Sequence, residues 1–191
     1  MTDELPRSGR SIAQESADRV QAAREFAIRA HRQQRYGSRP YVVHLDEVAE
    51  LLQPFGEEAL VVGYLHDVIE DTEVLLGEVW LAFGPRVALA VLLVSDERPA
   101  PRAERKAWIN TKLAAAGGED RIALMVKTAD RLANVSACIR DGDTGRLNQY
   151  QREHAAFRQS AYRPALCDPL WQRLDQLLHG TESSSIARPG V

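Results

Sequence analysis

The segment GYLHDVIEDT, residues 63–72, combines apolar residues at helical spacing with a histidine and three carboxylates. The apolar positions predict a helix that packs into a core. Four ionisable residues conflict with that prediction, because burying such groups without partners costs several kcal/mol each. They are His66, Asp67, Glu70 and Asp71. A bound metal ion with a reaction beside it would supply the partners. We therefore expect this segment to build a metal site inside a helical core.

Length and composition are typical of one soluble globular domain. The chain has 191 residues, of which 45% are apolar and 27% are charged. The formal net charge of −3 argues against a general nucleic-acid binder, which usually carries a basic excess. The longest apolar run, residues 89–94, is too short to span a bilayer, and residues 1–10 contain no apolar signal core. Cys138 and Cys167 lack metal-site spacing and predict buried, reduced thiols. We expect a cytoplasmic protein without nucleic-acid or membrane partners, and its oligomeric state stays open.

Hydrophobic periodicity of about 3.6 residues recurs along the chain, whereas no stretch alternates with period two. This pattern predicts an all-α fold, a single helical bundle over residues 11–180. We expect disorder at residues 1–10 and in the small, polar tail at residues 181–191. Among the helices, we predict one from about residue 12 to 35, and one from about residue 57 to 69 that carries the quoted segment.

His44 in PYVVHLDEV and Asp130 in VKTADRLAN extend the chemistry of the quoted segment. His44 follows a proline turn at the start of a helix. Asp130 lies among apolar neighbours on a helical face, where a carboxylate needs a partner. Together with His66 and Asp67 they give two nitrogen and two oxygen donors from three helices. Such a set suits Mn²⁺, Fe²⁺, Zn²⁺ or another divalent first-row ion, and it leaves coordination positions open for water and a phosphate oxygen.

Each of these side chains also has a structural interpretation. His44 alone fits a hydrogen bond at a helix start, and Asp130 alone fits an ion pair with Arg131 or Lys127. The charged residues at positions 66–71 fit an exposed, acidic helix end. The metal interpretation therefore depends on all four ligands meeting at one point in the fold.

The basic segment PRAERKAWINTK, residues 101–112, predicts a helix with a solvated, charged face. Its alternative interpretation is that Arg105, Lys106 or Lys112 contacts phosphate groups. His154, in a later helical pattern, is interpreted as a surface residue. None of these positions is assigned a place in the metal site.

The order His44, His66-Asp67, Asp130 resembles the ligand series of the HD-domain metal phosphohydrolases. More narrowly, the chain resembles the hydrolase domain of Rel/SpoT-type alarmone enzymes, and especially the stand-alone small alarmone hydrolases. The matching stretches are, in order, FAIRAHRQQR, PYVVH, LHDVIEDT, FGPRVA and VKTADRLAN. They cover most of residues 26–134, and HDVIEDT is much more specific than the His-Asp pair alone.

The resemblance implies a single HD-domain helical bundle with a central metal site and a Mn²⁺-dependent pyrophosphohydrolase activity. Such an enzyme removes the 3′-diphosphate from guanosine tetra- or pentaphosphate, written (p)ppGpp, and releases pyrophosphate with GDP or GTP. The adenosine analogue (p)ppApp would give ADP or ATP. Because the chain is too short to hold a synthetase domain as well, we expect a hydrolase only, whose partner is a small-molecule nucleotide.

The resemblance also implies roles for individual positions. The metal ligands would be His44, His66, Asp67 and Asp130. The catalytic pair, which would orient a water molecule and handle its proton, would be Glu70 and Asp71. The substrate contacts that match family positions are Lys127, Asn134, Arg146 and Tyr150.

The loop after the first helix departs from the family pattern. Family members often have an arginine-lysine pair in a longer loop there, which holds the base. In this chain the loop is RYGSRPY, residues 35–41, and the possible substitutes are Arg35, Tyr36 and Arg39. The departure leaves the choice between guanine and adenine open.

Two other functions stay open beside the alarmone hydrolase. The shortened loop is compatible with a nucleotide or NADPH phosphatase of the same superfamily. A non-catalytic alarmone-binding regulator is the second alternative, and the intact Glu70-Asp71 pair argues against it.

Overall fold

The structure, a computed structural model, describes residues 11–96 and 100–179. Within these ranges the regular structure is helical apart from one short hairpin. The helices are α1 (Ile12–His31), α2 (Val42–Leu52), α3 (Glu57–Leu65), α4 (Val68–Asp71), α5 (Leu76–Phe83), α6 (Pro85–Val94), α7 (Arg102–Ala115), α8 (Arg121–Asp141), α9 (Thr144–Ala161) and α10 (Asp168–His179). The hairpin pairs β1 (Arg35–Tyr36) with β2 (Arg39–Pro40) in antiparallel fashion. The all-α prediction is confirmed, and the disorder predicted at 1–10 and 181–191 concerns residues outside those described.

Helix α8 runs through the middle of the bundle and packs against α2, α3, α6, α9 and α10. Ala129, Ala133 and Ala137 are all buried, so one side of α8 repeats a small residue every four positions. Small side chains at this spacing let the neighbouring helices approach closely. Because α8 has neighbours on several sides, Asp130 is only 8% exposed and its carboxylate lies in the interior.

Helix α1 ends at His31, earlier than the predicted end at Arg35. The segment RYGSRP turns back on itself as the β1–β2 hairpin, with Gly37 at a φ of 60° in the turn. Glycine adopts positive φ without the penalty that a Cβ imposes, and proline at the end of the segment disfavours a continuing helix. The predicted extension of the helix is therefore wrong. Because of the hairpin, Tyr36 and Tyr41 both turn toward the centre of the bundle.

The quoted segment does not form one continuous helix. Helix α3 stops before His66 and Asp67, and α4 begins directly after them. Asp67 takes a φ of −106° and a ψ of −2°, and its carboxylate is bonded to the hydroxyl of Tyr41 at 2.6 Å. The prediction of a single helix to Ile69 is therefore wrong. The histidine-aspartate pair lies at a junction, where both side chains can point into the bundle.

Close packing of α2 against α3 depends on Gly63. A Cβ at this position would lie 2.5 Å from Cδ1 of the buried Leu52. We expect Gly63→Ala to lower the free energy of unfolding by about 1 kcal/mol, because overpacking outweighs the gain in helix propensity. In the control Gly77→Ala, on α5, the new Cβ would meet no heavy atom of the described chain within 4 Å, so stability should be unchanged or slightly higher. Chemical denaturation measures both variants, and a stabilised Gly63→Ala would contradict the packing.

His154 connects α9 to α10 and does not lie on the surface. It is only 6% exposed, and its Nε2 is 2.8 Å from an oxygen of Asp175, whose other oxygen accepts from Arg158 at 2.8 Å. The predicted surface position is therefore wrong, because a sequence pattern does not reveal that α10 covers this side of α9.

The burial of the two cysteines and the character of the helices bear on two expectations drawn from composition. Cys138 and Cys167 are both buried, as predicted. Across residues 11–96 and 100–179, no helix has the length and apolar character needed to cross a bilayer.

Candidate metal centre

Four side chains from separate parts of the chain meet inside the bundle. They are His44 of α2, His66 and Asp67 of the α3–α4 junction, and Asp130 of α8. His66 Nε2 lies 3.0 Å from Asp67 Oδ2 and 3.7 Å from Asp130 Oδ1. His44 Nε2 lies 3.9 Å from Asp67 Oδ2 and 3.4 Å from Asp130 Oδ1. The structure thus brings together all four residues that the sequence predicts as ligands.

The spacing of these donor atoms is close to the spacing expected around a shared metal ion. Two donors that each lie about 2.1 Å from one ion are about 3.0 to 3.4 Å apart at octahedral or tetrahedral angles. Two of the four nitrogen–oxygen separations in this group, 3.0 and 3.4 Å, lie in this range, and the other two, 3.7 and 3.9 Å, are longer. The mixture of imidazole and carboxylate donors suits a divalent first-row ion.

The ring of His66 is held in the orientation that a metal ligand needs. Its Nδ1 lies 2.7 Å from the carbonyl oxygen of Gly63, which can only accept, so Nδ1 carries the hydrogen. In the neutral ring, Nε2 then presents its lone pair to the carboxylates. This buried Nε2 makes no aligned hydrogen bond to any of the described residues. A hydrogen bond on the opposite ring nitrogen is the usual support of a metal-binding histidine.

The electrostatics of the group favour a bound cation. Burial alone would lower the pKa of His66, but the carboxylates of Asp67 and Asp130 outweigh it and raise the pKa to about 10. The group therefore attracts positive charge, which either a proton on His66 or a metal ion supplies. Lys127 provides part of that charge, because its Nζ lies 3.2 Å from Asp130 Oδ2.

Tyr36 and Asn134 support two of these side chains. The ring of Tyr36 stacks on His44, with ring centroids 4.6 Å apart and an interplanar angle of 9°. The Tyr36 hydroxyl donates to the side-chain oxygen of Asn134, and the Asn134 amide donates to Asp130 Oδ1. The two residues therefore orient His44 and Asp130, and both also line the adjacent cleft.

Glu70 and Asp71 lie beside the group and face the same cleft. Glu70 Oε2 accepts from the backbone N–H of Asp96 at 2.9 Å. Asp71 Oδ2 lies 2.9 Å from the hydroxyl of Tyr41. Burial raises the pKa of both carboxyl groups, and the negative charge of Asp67 raises it further. A carboxylate with a raised pKa is suited to accepting a proton near neutral pH.

The group opens into a cleft whose lining carries several cations in addition to carboxylates. Lys127 of α8 and Lys106 of α7 contribute to its lining, together with Tyr150 of α9. Burial lowers the pKa of Lys106, as expected for an ammonium group inside a cleft. A negatively charged ligand such as a phosphate ester fits these surroundings.

One face of α7 forms a wall of this cleft. Arg102, Lys106 and Asn110 follow one another at intervals of four residues, and all three line it. Arg102 is also bonded to Glu153 of α9, at 2.8 and 3.0 Å. Lys112 lies elsewhere and donates to two backbone carbonyls at the end of α6. The interpretation of the basic segment as a solvated face is therefore wrong for the side of α7 that carries Lys106.

Three predicted substrate contacts do not line the cleft. Arg35 is exposed, Arg39 pairs with Glu47 at 3.2 Å, and Arg146 is exposed with its Nε 3.8 Å from Asp143. None of the three is among the described residues that line the cleft. Their role as substrate contacts stays a prediction.

Comparisons with known proteins identify the fold family. Residues 23–156, more than half of the chain, match the family model described as HD domain. The chain belongs to the HD domain family. The resemblance inferred from the motifs is confirmed, and membership implies a divalent metal ion. Within the HD domain, His44, His66 and Asp130 form a group able to hold one.

Named relatives of this HD domain are pyrophosphohydrolases. A human protein named guanosine-3′,5′-bis(diphosphate) 3′-pyrophosphohydrolase MESH1 is 37% identical over 131 residues, which cover 65% of this chain and 71% of the relative. An Aquifex aeolicus protein named guanosine-3′,5′-bis(diphosphate) 3′-pyrophosphohydrolase is 35% identical over 122 residues, 62% of this chain but 18% of that protein.

A solved structure extends the similarity to most of the HD-domain chain. It is described as a metazoan ortholog of SpoT that hydrolyzes ppGpp and plays a role in starvation responses. It aligns with a TM-score of 0.73 and 25% sequence identity, and the alignment covers 91% of this chain and 98% of that one.

Sequence reasoning missed Tyr41 and most of the α7 wall of this HD domain. Tyr41 lies three positions before His44 in PYVVH, and its apolar neighbours gave no sign of a polar contact. The repeat of Arg102, Lys106 and Asn110 every four residues was the available signal for α7. That repeat shows a shared face, but whether the face meets solvent or a cleft depends on the helices packed against it.

Proposed function

We propose that this HD-domain protein is a metal-dependent pyrophosphohydrolase that removes the 3′-diphosphate of ppGpp. The observation that carries the proposal is that three of the four candidate ligands, the Glu70-Asp71 pair and the lysines at 106 and 127 border one cleft. The fourth ligand, His66, is buried behind them, with its Nε2 3.0 Å from Asp67 Oδ2. Such a cleft combines the groups that hydrolysis of a phosphoric anhydride or ester requires. The names of the relatives supply the guanosine substrate.

In this proposal His44, His66, Asp67 and Asp130 hold a Mn²⁺ ion. When bound, the ion supplies Lewis-acid charge beside the phosphoryl group under attack. Nitrogen and oxygen donors also accept Fe²⁺ or Zn²⁺, so Mn²⁺ is the preferred member of a small set. Tyr36 and Asn134 keep the ligands in place through the contacts described above.

Glu70 and Asp71 orient the attacking water and receive its proton. The water oxygen forms a bond to the phosphorus attached to the 3′ oxygen, and the bond between that phosphorus and the 3′ oxygen breaks. The 3′ oxygen takes up a proton and leaves as the hydroxyl of GDP, while the two phosphoryl groups leave together as pyrophosphate. Water is the only co-reactant in this balance.

Cations and aromatic groups of the cleft hold the substrate. We assign diphosphate contacts to Lys127 and Lys106, because both line the cleft beside the metal group. Asn134 and Tyr150 are the proposed contacts to the sugar and base side. The pentaphosphate pppGpp would fit the same scheme and release GTP.

A cytoplasmic location is also proposed. Both cysteines are buried and unpaired, which suits a reducing compartment.

A product assay tests the proposed function. The protein is incubated with Mn²⁺ and ppGpp, ppApp or NADPH, and the products are resolved by anion exchange. We expect GDP and pyrophosphate in equal amounts from ppGpp, and the ppApp arm reports whether adenine is accepted. Turnover of NADPH or simple nucleotides alone would replace the proposal with a phosphatase. Tight binding of ppGpp without cleavage with several metals would replace it with a regulator.

Metal removal should lower thermal stability as well as activity. Ligands that bind only the folded state stabilise it by about 2.7 kcal/mol when present at 100 times their Kd. We therefore expect a higher Tm in saturating Mn²⁺ than after dialysis against a chelator, and recovery of both Tm and turnover when Mn²⁺ is returned. An unchanged Tm, measured by differential scanning fluorimetry over a wide range of Mn²⁺, would contradict a structural fit of the ion to this group.

A further inference from the structure

Tyr41 connects the metal-ligand group to one member of the proposed catalytic pair. Its hydroxyl oxygen lies 2.6 Å from Asp67 Oδ2 and 2.9 Å from Asp71 Oδ2. We infer that Tyr41 is a positioning residue, whose hydroxyl holds the carboxylate of Asp71 against the metal ligand Asp67. The inference rests on the proposed function, because it gives Asp71 its catalytic role.

The ring of Tyr41 is fixed firmly enough for this task. It is 7% exposed and stacks on His31, with centroids 4.2 Å apart and an interplanar angle of 14°. The edges of Tyr36 and His44 meet it from two other directions, with centroids 6.1 and 5.8 Å away. Its backbone N–H also donates to Gln34, at 3.0 Å. A ring enclosed in this way keeps its hydroxyl at one point.

The carboxylate of Asp71 lies 2.9 Å from that hydroxyl, whereas the side-chain ion pair of Glu70, with Arg105, is longer at 3.8 Å. Within the described part of the chain, Tyr41 is the side chain in hydrogen-bonding contact with Asp71, and its single hydroxyl hydrogen is shared between Asp67 and Asp71 as a three-centre bond. Glu70 instead accepts from the backbone N–H of Asp96, which no side-chain substitution removes. Asp71 and Asp67 carry like charges, so without a shared donor the two carboxylates repel and Asp71 is free to turn away.

The variant Tyr41→Phe removes only the hydroxyl and keeps the stacked ring. We expect kcat for ppGpp at saturating Mn²⁺ to fall by about 10- to 100-fold, the usual effect of losing a residue that orients a metal-site group. KM should change by less than about threefold, because the phosphate-binding cations are untouched. The matched control is Tyr64→Phe, whose hydroxyl also donates to a carboxylate, Asp46 at 3.2 Å, but outside the cleft. It should keep wild-type kcat.

A double-mutant comparison separates positioning from general destabilisation. In an Asp71→Asn background, Tyr41→Phe should cause little further loss of kcat, because the group that it positions is already disabled. A full additional loss in that background, or a kcat that excess Mn²⁺ restores to the wild-type value, would overturn the inference.

Crystal structures of wild type and Tyr41→Phe, both without added metal, give a readout independent of turnover. We expect the Asp71 side chain to change rotamer in the variant while His31 and the residue 41 ring stay stacked. An unchanged Asp71 would overturn the inference. Wild-type protein that leaves ppGpp intact would instead count against the proposed function, and the crystallographic comparison would still decide the role of Tyr41.

Discussion

Asp67→Ala is expected to abolish metal binding and pyrophosphate release together. The carboxylate is one of the four candidate donors, and its Oδ2 lies 3.0 Å from His66 Nε2 and 3.9 Å from His44 Nε2. A metal ion contributes several kcal/mol of transition-state stabilisation, and each 1.36 kcal/mol is a factor of ten in rate. Loss of the ion should therefore reduce turnover of ppGpp by at least about a thousandfold.

Metal content by plasma mass spectrometry and turnover by anion exchange are measured on the same preparation. The control is Asp46→Ala, which removes an aspartate that pairs with Arg24 and does not line the cleft. It should retain metal and rate. An Asp67→Ala protein that keeps its metal and more than about a tenth of its activity would remove this residue from the ligand set.

Asp71→Asn and Glu70→Gln are expected to lose turnover while they retain the metal. Both side chains border the cleft, and in both the pKa is raised by burial and then by Asp67. The amide variants keep the shape of the side chain but cannot accept a proton. Removing general acid–base catalysis typically reduces rate by about 10²- to 10⁴-fold.

The turnover rates of the variants and the wild type are compared at equal Mn²⁺ occupancy, so that a change in metal affinity does not affect the measured rates. Glu73→Gln is the matched control, because Glu73 follows the pair closely in sequence but its side chain is 94% exposed. It should keep the wild-type rate. If either Asp71→Asn or Glu70→Gln kept full kcat, that residue would have no part in proton transfer.

The meeting of the four candidate metal ligands was predictable because the chemistry of a metal site restricts the choice of residue. Asp130 in an apolar helical face and the charged residues after Gly63 both conflict with burial, and a metal ion resolves the conflict. The motif order then limited the partners to His44 and the His66-Asp67 pair. The resemblance to the ligand series of the HD-domain phosphohydrolases supported the same set of side chains.

Other features depended on tertiary contacts that a local pattern does not contain. Helix α1 ends at His31 because the chain turns into the hairpin after it. Helix α3 ends before Asp67, whose carboxylate is bonded to Tyr41. The sequence pattern around Lys106 on α7 is the same whether this face of the helix contacts solvent or lines a cleft. The direction of a side chain is likewise not given by a local pattern, as for Arg146, which is exposed near Asp143 and does not line the cleft.

The position of the bound metal tests the central claim most directly. Crystals soaked in Mn²⁺ would be measured at the manganese absorption edge, so that anomalous scattering marks the ion. We expect one strong peak about 2.0 to 2.3 Å from His44 Nε2, His66 Nε2 and the nearest oxygens of Asp67 and Asp130. A peak at another group, such as His154, Asp175 and His179, with none at these four side chains, would contradict the assignment.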